Sequence, residues 1–282
     1  MIIFHRRYFG GRFISECYKI IELKLTVLTE NRAGIKFLAE HGLSYFIEVG
    51  DEKILFDTGQ SDVFLKNAEK LGIDIRNSVD KIILSHGHWD HGDGLQFITN
   101  KTLITHPKSF IKRYGKTDQT EIGLKLSNDE IRIKFNVTES EKPFNVTDNV
   151  FFLGEIPRIN NFESKTTSFI DGNGNEDYVP DDSALAVVEK SELIIVTGCS
   201  HSGICNICEY AKMVTGIPII STVIGGFHLK HRNLQTEKTI EYFRKNKIKR
   251  ILPSHCTELP ALTAFYNNFH CEPVKTGMVF EF

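Results

Sequence analysis

The sequence contains no uninterrupted apolar run approaching the roughly 18 residues of a membrane span. It also has no internal repeat and no low-complexity linker at which to divide it. Neither sign of charge is in marked excess. Thirty-four Lys and Arg against 36 Asp and Glu leave a formal net charge of -2. That balance gives no reason to expect a nucleic-acid or anionic-membrane partner. Residues Met1–Gly10 place basic residues after a very short apolar run, the wrong order for a secretory signal, so a cytoplasmic setting is expected. In a reducing compartment Cys17, Cys199, Cys205, Cys208, Cys256 and Cys271 are expected as free thiols, and any that lie near a metal could serve as ligands.

What the chain does have is an ordinary globular balance, 41% hydrophobic and 25% charged over 282 residues, enough to bury a substantial core. Residues 1–20 stand apart from the pattern that follows. They read as an N-terminal extension: a flexible segment, an added helix or a cover over a neighbouring subunit. Residues 21–282 read as a single domain. Leu23–Thr29 alternates as a half-buried strand, and Ser44–Val49 and Lys53–Phe56 read as two more strands joined by a turn at Gly50-Asp51. A helix is predicted from Ser61 to Leu71, stopped by Gly72. Lys81–Leu84 and Thr102–Thr105 follow as strands. Residues 115–180 are more polar and read as strands broken by long loops. From Ser183 a second regular block begins: a hairpin (Ala184–Val188, Leu193–Val196), a helix carrying Ile204, Ile207, Cys208 and Ala211 on one face, a strand at Ile219–Ile224, a helix from Thr236 to Asn246, a strand at Arg250–Leu252 and a helix opened by Pro260. Two sheets packed face to face, with helices outside, satisfy both blocks.

The chemistry concentrates in Ser85-His-Gly-His-Trp-Asp-His-Gly-Asp-Gly-Leu95. His86, His88, Asp90 and His91 put four potential ligands within six residues, directly after an apolar strand. Imidazole and carboxylate suit zinc, iron or manganese. A loop at a strand end can turn several side chains toward one point, and Gly87, Gly92 and Gly94 are expected to supply its backbone freedom. A closed structural zinc site needs only four ligands. This cluster nearly exhausts that number alone, while other candidates lie elsewhere.

His86-x-His88-x-Asp90-His91 resembles the signature of the metallo-β-lactamase superfamily, and the resemblance runs from about residue 23 to the C-terminus. Ile54-Leu-Phe-Asp-Thr-Gly59 is similar to its first motif, in which the Asp orients the metal loop. Ile195–Cys199 stands where a strand usually ends in a bridging Asp, and Leu252-Pro-Ser-His255 resembles the final motif. The resemblance implies an α/β fold: an αββα four-layer sandwich of two mixed sheets with helices on the outer faces. It also implies two divalent metal ions, zinc first, with iron or manganese as alternatives. His86 and His88 would hold one ion; Asp90, His91 and His255 would hold the other. The region Val179–Ser183 lacks the usual third His of the first site, so that role is assigned to His201, with Asp182 and Cys199 as competing candidates. Asp90 is also the candidate catalytic group, able to hold a water or take a proton. His228, in Gly225-Gly-Phe-His228, is assigned to substrate. Cys205-x-x-Cys208 has redox spacing but sits on a core-facing helix stripe, and Cys256 reads as a packed thiol.

Glu40–Ser44, Thr197–Ile204, Gly225–Leu229 and Pro253–Thr257 together resemble a narrower subgroup, similar to the dihydropterin-6-yl-methyl-ribofuranosylaminobenzene 5′-phosphate synthase. That resemblance implies condensation of a hydroxymethyl-dihydropterin diphosphate with a phosphorylated ribosyl-aminobenzene. It makes the expected partner a phosphorylated small molecule and leaves a homo-oligomer open. The alternative is hydrolysis of phosphoester or lactone metabolites. A di-iron redox protein on the same scaffold typically carries Glu where His88 stands here.

Overall fold

A computed structural model describes residues 22–282, together with the backbone of residues 2–9 and 12–19. The expectation for residues 1–20 thus falls partly outside the described residues. Within it, β1 (Ile2–Phe9) and β2 (Arg12–Lys19) pair as an antiparallel hairpin rather than forming a helix.

The first large sheet contains β3 (Leu23–Thr29), β4 (Ser44–Val49), β5 (Glu52–Phe56), β6 (Lys81–Ile83) and β7 (Thr102–Thr105). A short β8 (Arg113–Gly115) leaves that sheet, and β9 (Asn136–Glu139) closes its far edge. The second sheet contains β10 (Phe144–Asn145), β11 (Val150–Phe152), β13 (Ala184–Glu189), β14 (Glu192–Thr197), β15 (Ile220–Gly226) and β16 (Arg250–Ser254). Between them in sequence, β12 (Phe169–Asp171) pairs with β8, and β17 (Val279–Glu281) returns to pair antiparallel with β3. Both sheets are mixed. β5, β6, β7 and β9 run parallel, as do β14, β15 and β16.

Three apolar layers explain the stacking. Leu25, Val27, Tyr45 and Ile47 of the first sheet meet Phe152, Leu185, Val187 and Val196 of the second. The other face of the first sheet packs on α1 (Val63–Lys70) through Phe64 and Ala68. The short α2 (Ile75–Ser78) adds Ile75 to the same layer. The other face of the second sheet is covered by α5 (Ile204–Thr215), α6 (Leu234–Lys245) and α7 (Leu259–Phe269), through Ile207, Phe243 and Phe265. Strands buried on both faces give the near-continuous apolar run Leu193–Val196. The arrangement is the expected αββα sandwich.

Within residues 115–180 the structure differs from the sequence reading. α4 (Asn128–Lys134) lies there, opened by a capping box in which Ser127 accepts from Glu130 N and the Glu130 side chain accepts from Ser127 N. The remaining short helix, α3 (Trp89–Gly92), belongs to the histidine loop. Among the described residues, no helix is long and apolar enough to cross a membrane.

This topology positions the site. Asp57 follows β5, the histidine loop follows β6, Cys199 and His201 follow β14, His228 follows β15, and His255 follows β16. Side chains from the carboxyl ends of parallel strands in both sheets therefore converge at one end of the sandwich. Four residues at these strand ends hold positive φ without being glycine: Asp57 (56°), Ser200 (59°), His228 (49°) and His255 (49°). Each costs backbone energy that only the surrounding contacts can offset.

Candidate metal centre

Asp57 organises the histidine loop. It is fully buried; its Oδ1 accepts from Ser85 N at 2.7 Å, and its Oδ2 accepts from Ser85 Oγ and from His91 Nδ1, each at 2.7 Å. A carboxylate only accepts, so the hydrogen lies on His91 Nδ1 and the Nε2 lone pair faces inward. Ser85 Oγ, having donated to Asp57, accepts from His86 Nδ1 at 2.9 Å, which turns His86 Nε2 inward too. On the opposite side Asn31 Oδ1 accepts from Gly42 N (3.1 Å), which fixes the amide orientation, and also from His255 Nδ1 (2.9 Å). Glu30 accepts from His255 N at 2.7 Å and holds that residue in its strained conformation.

The outcome is a set of imidazole nitrogens, a thiol and a carboxylate oxygen aimed at one another. His91 Nε2 lies 3.1 Å from His255 Nε2 and 3.2 Å from Cys199 Sγ. Asp90 Oδ2 lies 3.2 Å from His255 Nε2 and 3.2 Å from His41 Nε2. His86 Nε2 lies 3.1 Å from His88 Nδ1, and His88 Nε2 and His201 Nε2 are buried with no hydrogen-bond partner. Ligand atoms of His86, His88 and His201 lie within 4.8 Å of one another, as do those of His41, Asp90 and His255, and those of His86, His91 and Cys199. Converging lone pairs are the donor set a cation requires, so these residues fit the metal ions expected from the sequence.

Electrostatics supports the fit. Burial holds His86 and His201 well below the usual histidine range and His88 down at about 3, so all three are in the neutral, ligating form. Burial would also lower His91, but Asp90 and Asp57 push it up to about 9. Burial likewise opposes ionisation of Asp90, yet His91 and hydrogen bonds from His255 and His41 hold its carboxyl well below the ordinary range. The ionised Asp90 carboxylate thus calls for positive charge at the His91 side of the cluster.

The chain belongs to the metallo-beta-lactamase superfamily. The model of the metallo-beta-lactamase superfamily matches residues 39–108, which include Asp57 and the whole histidine loop. An uncharacterised protein of Methanocaldococcus jannaschii is 34% identical over 254 residues, 87% of this chain and 95% of the relative. The 7,8-dihydropterin-6-methyl-4-(beta-D-ribofuranosyl)-aminobenzene-5'-phosphate synthase of the same organism is 32% identical over 289 residues, 94% of this chain and 98% of that protein. A crystal structure described as a metal-dependent hydrolase of the beta-lactamase superfamily superposes with a TM-score of 0.81 at 30% identity, covering 92% of this chain and 99% of that one.

Of the residues singled out in the sequence, the fold brings together His86, His88, Asp90, His91, His201, Cys199 and His255. His228 lies beside them, its ring 4.3 Å from that of His201. Asp182 does not join: its Oδ2 accepts from Ser202 N (2.9 Å) and Ser202 Oγ (2.6 Å), so it fixes the turn that carries His201. Cys205 and Cys208 are free thiols on the core-facing side of α5, and burial pushes both thiols up, away from the thiolate.

Gly87, Gly92 and Gly94 all have negative φ or extended backbone, so conformational freedom is not what they provide. Gly87 is required by close approach, since a Cβ there would sit 1.8 Å from Ser109 O. His41 draws no role from the sequence, though it lies within Glu40–Ser44. It also missed the buried triad behind the loop. Arg113 donates from Nε to Asp177 Oδ2 (2.7 Å) and from Nη1 to Asp181 Oδ2 (2.9 Å), and Asp181 Oδ2 also accepts from Gly87 N (2.7 Å). No local pattern marks that triad, because its members are 64 and 68 residues apart.

A cleft of about 380 Å³ opens beside the centre, lined by His201, His228, Phe169, Tyr178, Lys165 and Lys230 among others. Its lining includes Thr166, Thr167 and Ser168 but no carboxylate. Phe169 reaches both spaces, its ring 5.0 Å from His88 and 6.5 Å from His228.

Proposed function

We propose that the protein is a two-metal enzyme acting on a phosphorylated, ring-bearing small molecule. The reaction would be condensation of a pterin-type diphosphate with a phosphorylated ribosyl-aminobenzene, as in the synthase it resembles. His86, His88 and His201 would hold one divalent ion; Asp90, His91 and His255 would hold the second. Bound there, the ions would supply Lewis-acid charge for a phosphoryl or leaving-group oxygen.

The observation that carries the substrate class is the cleft. It presents cations and hydroxyl donors, no carboxylate, and aromatic faces directly against His201 and His228. Lys165 and Lys230 at its rim suit a phosphate, while Phe169 and Tyr178 offer faces for a heteroaromatic ring. His228 can donate to an oxygen of the substrate from the boundary between cleft and centre. Asp90, kept ionised, remains an acceptor, and its hydrogen bond to half-exposed His41 links the centre to solvent.

In the condensation the new bond joins an aryl carbon or amine to the pterin methylene. The bond from that methylene to the diphosphate oxygen breaks, diphosphate leaves, and the proton displaced from the attacking carbon or amine passes to solvent. The test is incubation of zinc-loaded protein with both substrates. The expected result is the condensed product with one diphosphate released per turnover. Hydrolysis of a phosphodiester or lactone panel without condensation would favour the hydrolase reading, which is supported by the superposed metal-dependent hydrolase. Turnover of neither set would overturn the enzymatic proposal.

A further inference from the structure

The lining of the cleft comes from separate parts of the chain. Residues 164–169 supply one wall, while Ser200 and His201 come from the turn that leads into α5. One side chain outside the lining ties the two together. Glu163 is fully buried. Its Oε1 accepts from Cys205 N at 3.0 Å, and its Oε2 accepts from Asn206 N at 3.0 Å and from Asn160 Nδ2 at 2.5 Å. Cys205 and Asn206 stand in the first turn of α5, whose N-cap is Gly203 and has no side chain to offer. The Glu163 carboxylate, arriving from another loop, therefore satisfies the free N–H groups of that turn and meets the positive end of the helix.

The approach is close and it is answered from both sides. Gly203 has φ 100°, and a Cβ there would lie 2.4 Å from Glu163 Oε2, so glycine is what leaves room for the carboxylate. From the helix, Asn206 Oδ1 accepts from Ile159 N (3.0 Å) and Asn160 N (2.9 Å). Arg158 ties the same loop to a further cleft residue, donating from Nε to Ser164 Oγ (2.9 Å) and from Nη2 to the carbonyl of Tyr178. Glu163 thus directly precedes the wall that carries Lys165 and Phe169, and docks on the helix that directly follows His201.

We propose that Glu163 is a positioning residue for the substrate: it holds Lys165 and Phe169 at the spacing from His201 that a phosphorylated, ring-bearing molecule bridges. This rests on the substrate class proposed above. Removing the carboxylate should loosen the cleft wall and spare the metal centre. Glu163 bonds to none of the proposed ligands, and the turn that carries His201 is held independently by Asp182 on Ser202.

The test compares the full zinc-loaded chain with its Glu163→Ala and Glu163→Gln variants, with zinc content measured for each. Hydroxymethyl-dihydropterin diphosphate is titrated with the second substrate withheld, and KM and kcat are then measured with both. In Glu163→Ala the dissociation constant and KM should rise about 5- to 20-fold with kcat and zinc content nearly unchanged, the mark of lost substrate binding rather than lost chemistry. Hydrogen exchange should quicken in residues 158–169 and at Cys205 and Asn206. If Glu163→Ala does not fold, Glu163→Gln carries the comparison: it keeps the volume but turns an amide NH2 toward an N–H donor, and should show the same change to a smaller degree. Faster exchange with unchanged affinity would make Glu163 a helix cap only, and a fall in kcat and zinc content at constant KM would make it a support of the metal centre; either result overturns the proposal and leaves the substrate reading standing. Failure of the unaltered protein to bind the pterin diphosphate would overturn the substrate reading and this proposal with it.

Discussion

Asp57 Oδ2 accepts the Nδ1 proton of His91 at 2.7 Å, with both side chains fully buried. The same carboxylate holds Ser85 at two atoms, and Ser85 in turn orients His86. One residue directly after β5 therefore sets the ring orientation of two histidines on the loop after β6. Outer groups that fix ligand tautomers are worth roughly 10- to 100-fold in metal affinity. Asp57→Ala is expected to weaken zinc binding by about that factor, as read by competition against a chromogenic chelator. Affinity equal to that of the unaltered protein would remove Asp57 from this role.

Metal removal should destabilise the fold. His91 Nε2 and His255 Nε2 lie 3.1 Å apart, and a bound cation would take both nitrogens as ligands in place of the proton between them. Zinc at a free concentration about 100 times its dissociation constant should add about 2.7 kcal/mol of stability. Differential scanning calorimetry of stripped and zinc-loaded protein should show a higher melting temperature with zinc. Equal melting curves would argue that no cation belongs there.

Arg113 is fully buried between Asp177 and Asp181 and supports the loop through the Asp181–Gly87 bond. Arg113→Met should cost about 3–5 kcal/mol in denaturant unfolding, because two buried carboxylates lose their partner. Burial opposes ionisation of Asp181, but Arg113 and the Gly87 N–H hold its carboxyl below the ordinary value of 3.8. The folded pKa is thus depressed. The stabilisation it gives is present above pH 3.8 and is lost as pH falls through the folded value. Acid unfolding should therefore begin at higher pH in the Arg113→Met variant, and an unchanged acid limb would refute the coupling.

The cleft lysines are exposed, so each should contribute modestly. Lys230→Met or Lys165→Met is expected to raise KM for a phosphorylated substrate by about 2- to 5-fold. kcat should be nearly unchanged, and the difference should shrink in high salt. Steady-state kinetics at two ionic strengths checks this. An effect on kcat alone would place these lysines outside substrate binding.

Much of this was legible in the chain. β3, β4, β7 and the β13–β14 hairpin follow from alternation and apolar runs, because strand periodicity is local. The metal loop was legible because four ligand types fall within six residues. α4 was misread although its Ser127-x-x-Glu130 capping box is a local signal, since the polar surroundings of residues 115–180 outweighed it.

The sequence by itself determined the sandwich, the histidine loop and the family, since each rests on short-range pattern. Only the tertiary structure decided which distant side chains complete the cluster. It placed His201 and Cys199 beside His86 and His91, and His41 against Asp90. It also set Asp182 aside to hold the Ser202 turn and stationed Arg113 behind the loop. Such pairings depend on how parallel strand ends from two sheets meet in space, across separations from 20 residues (Asp182 to Ser202) to 108 (His91 to Cys199), and no local preference of the chain encodes them.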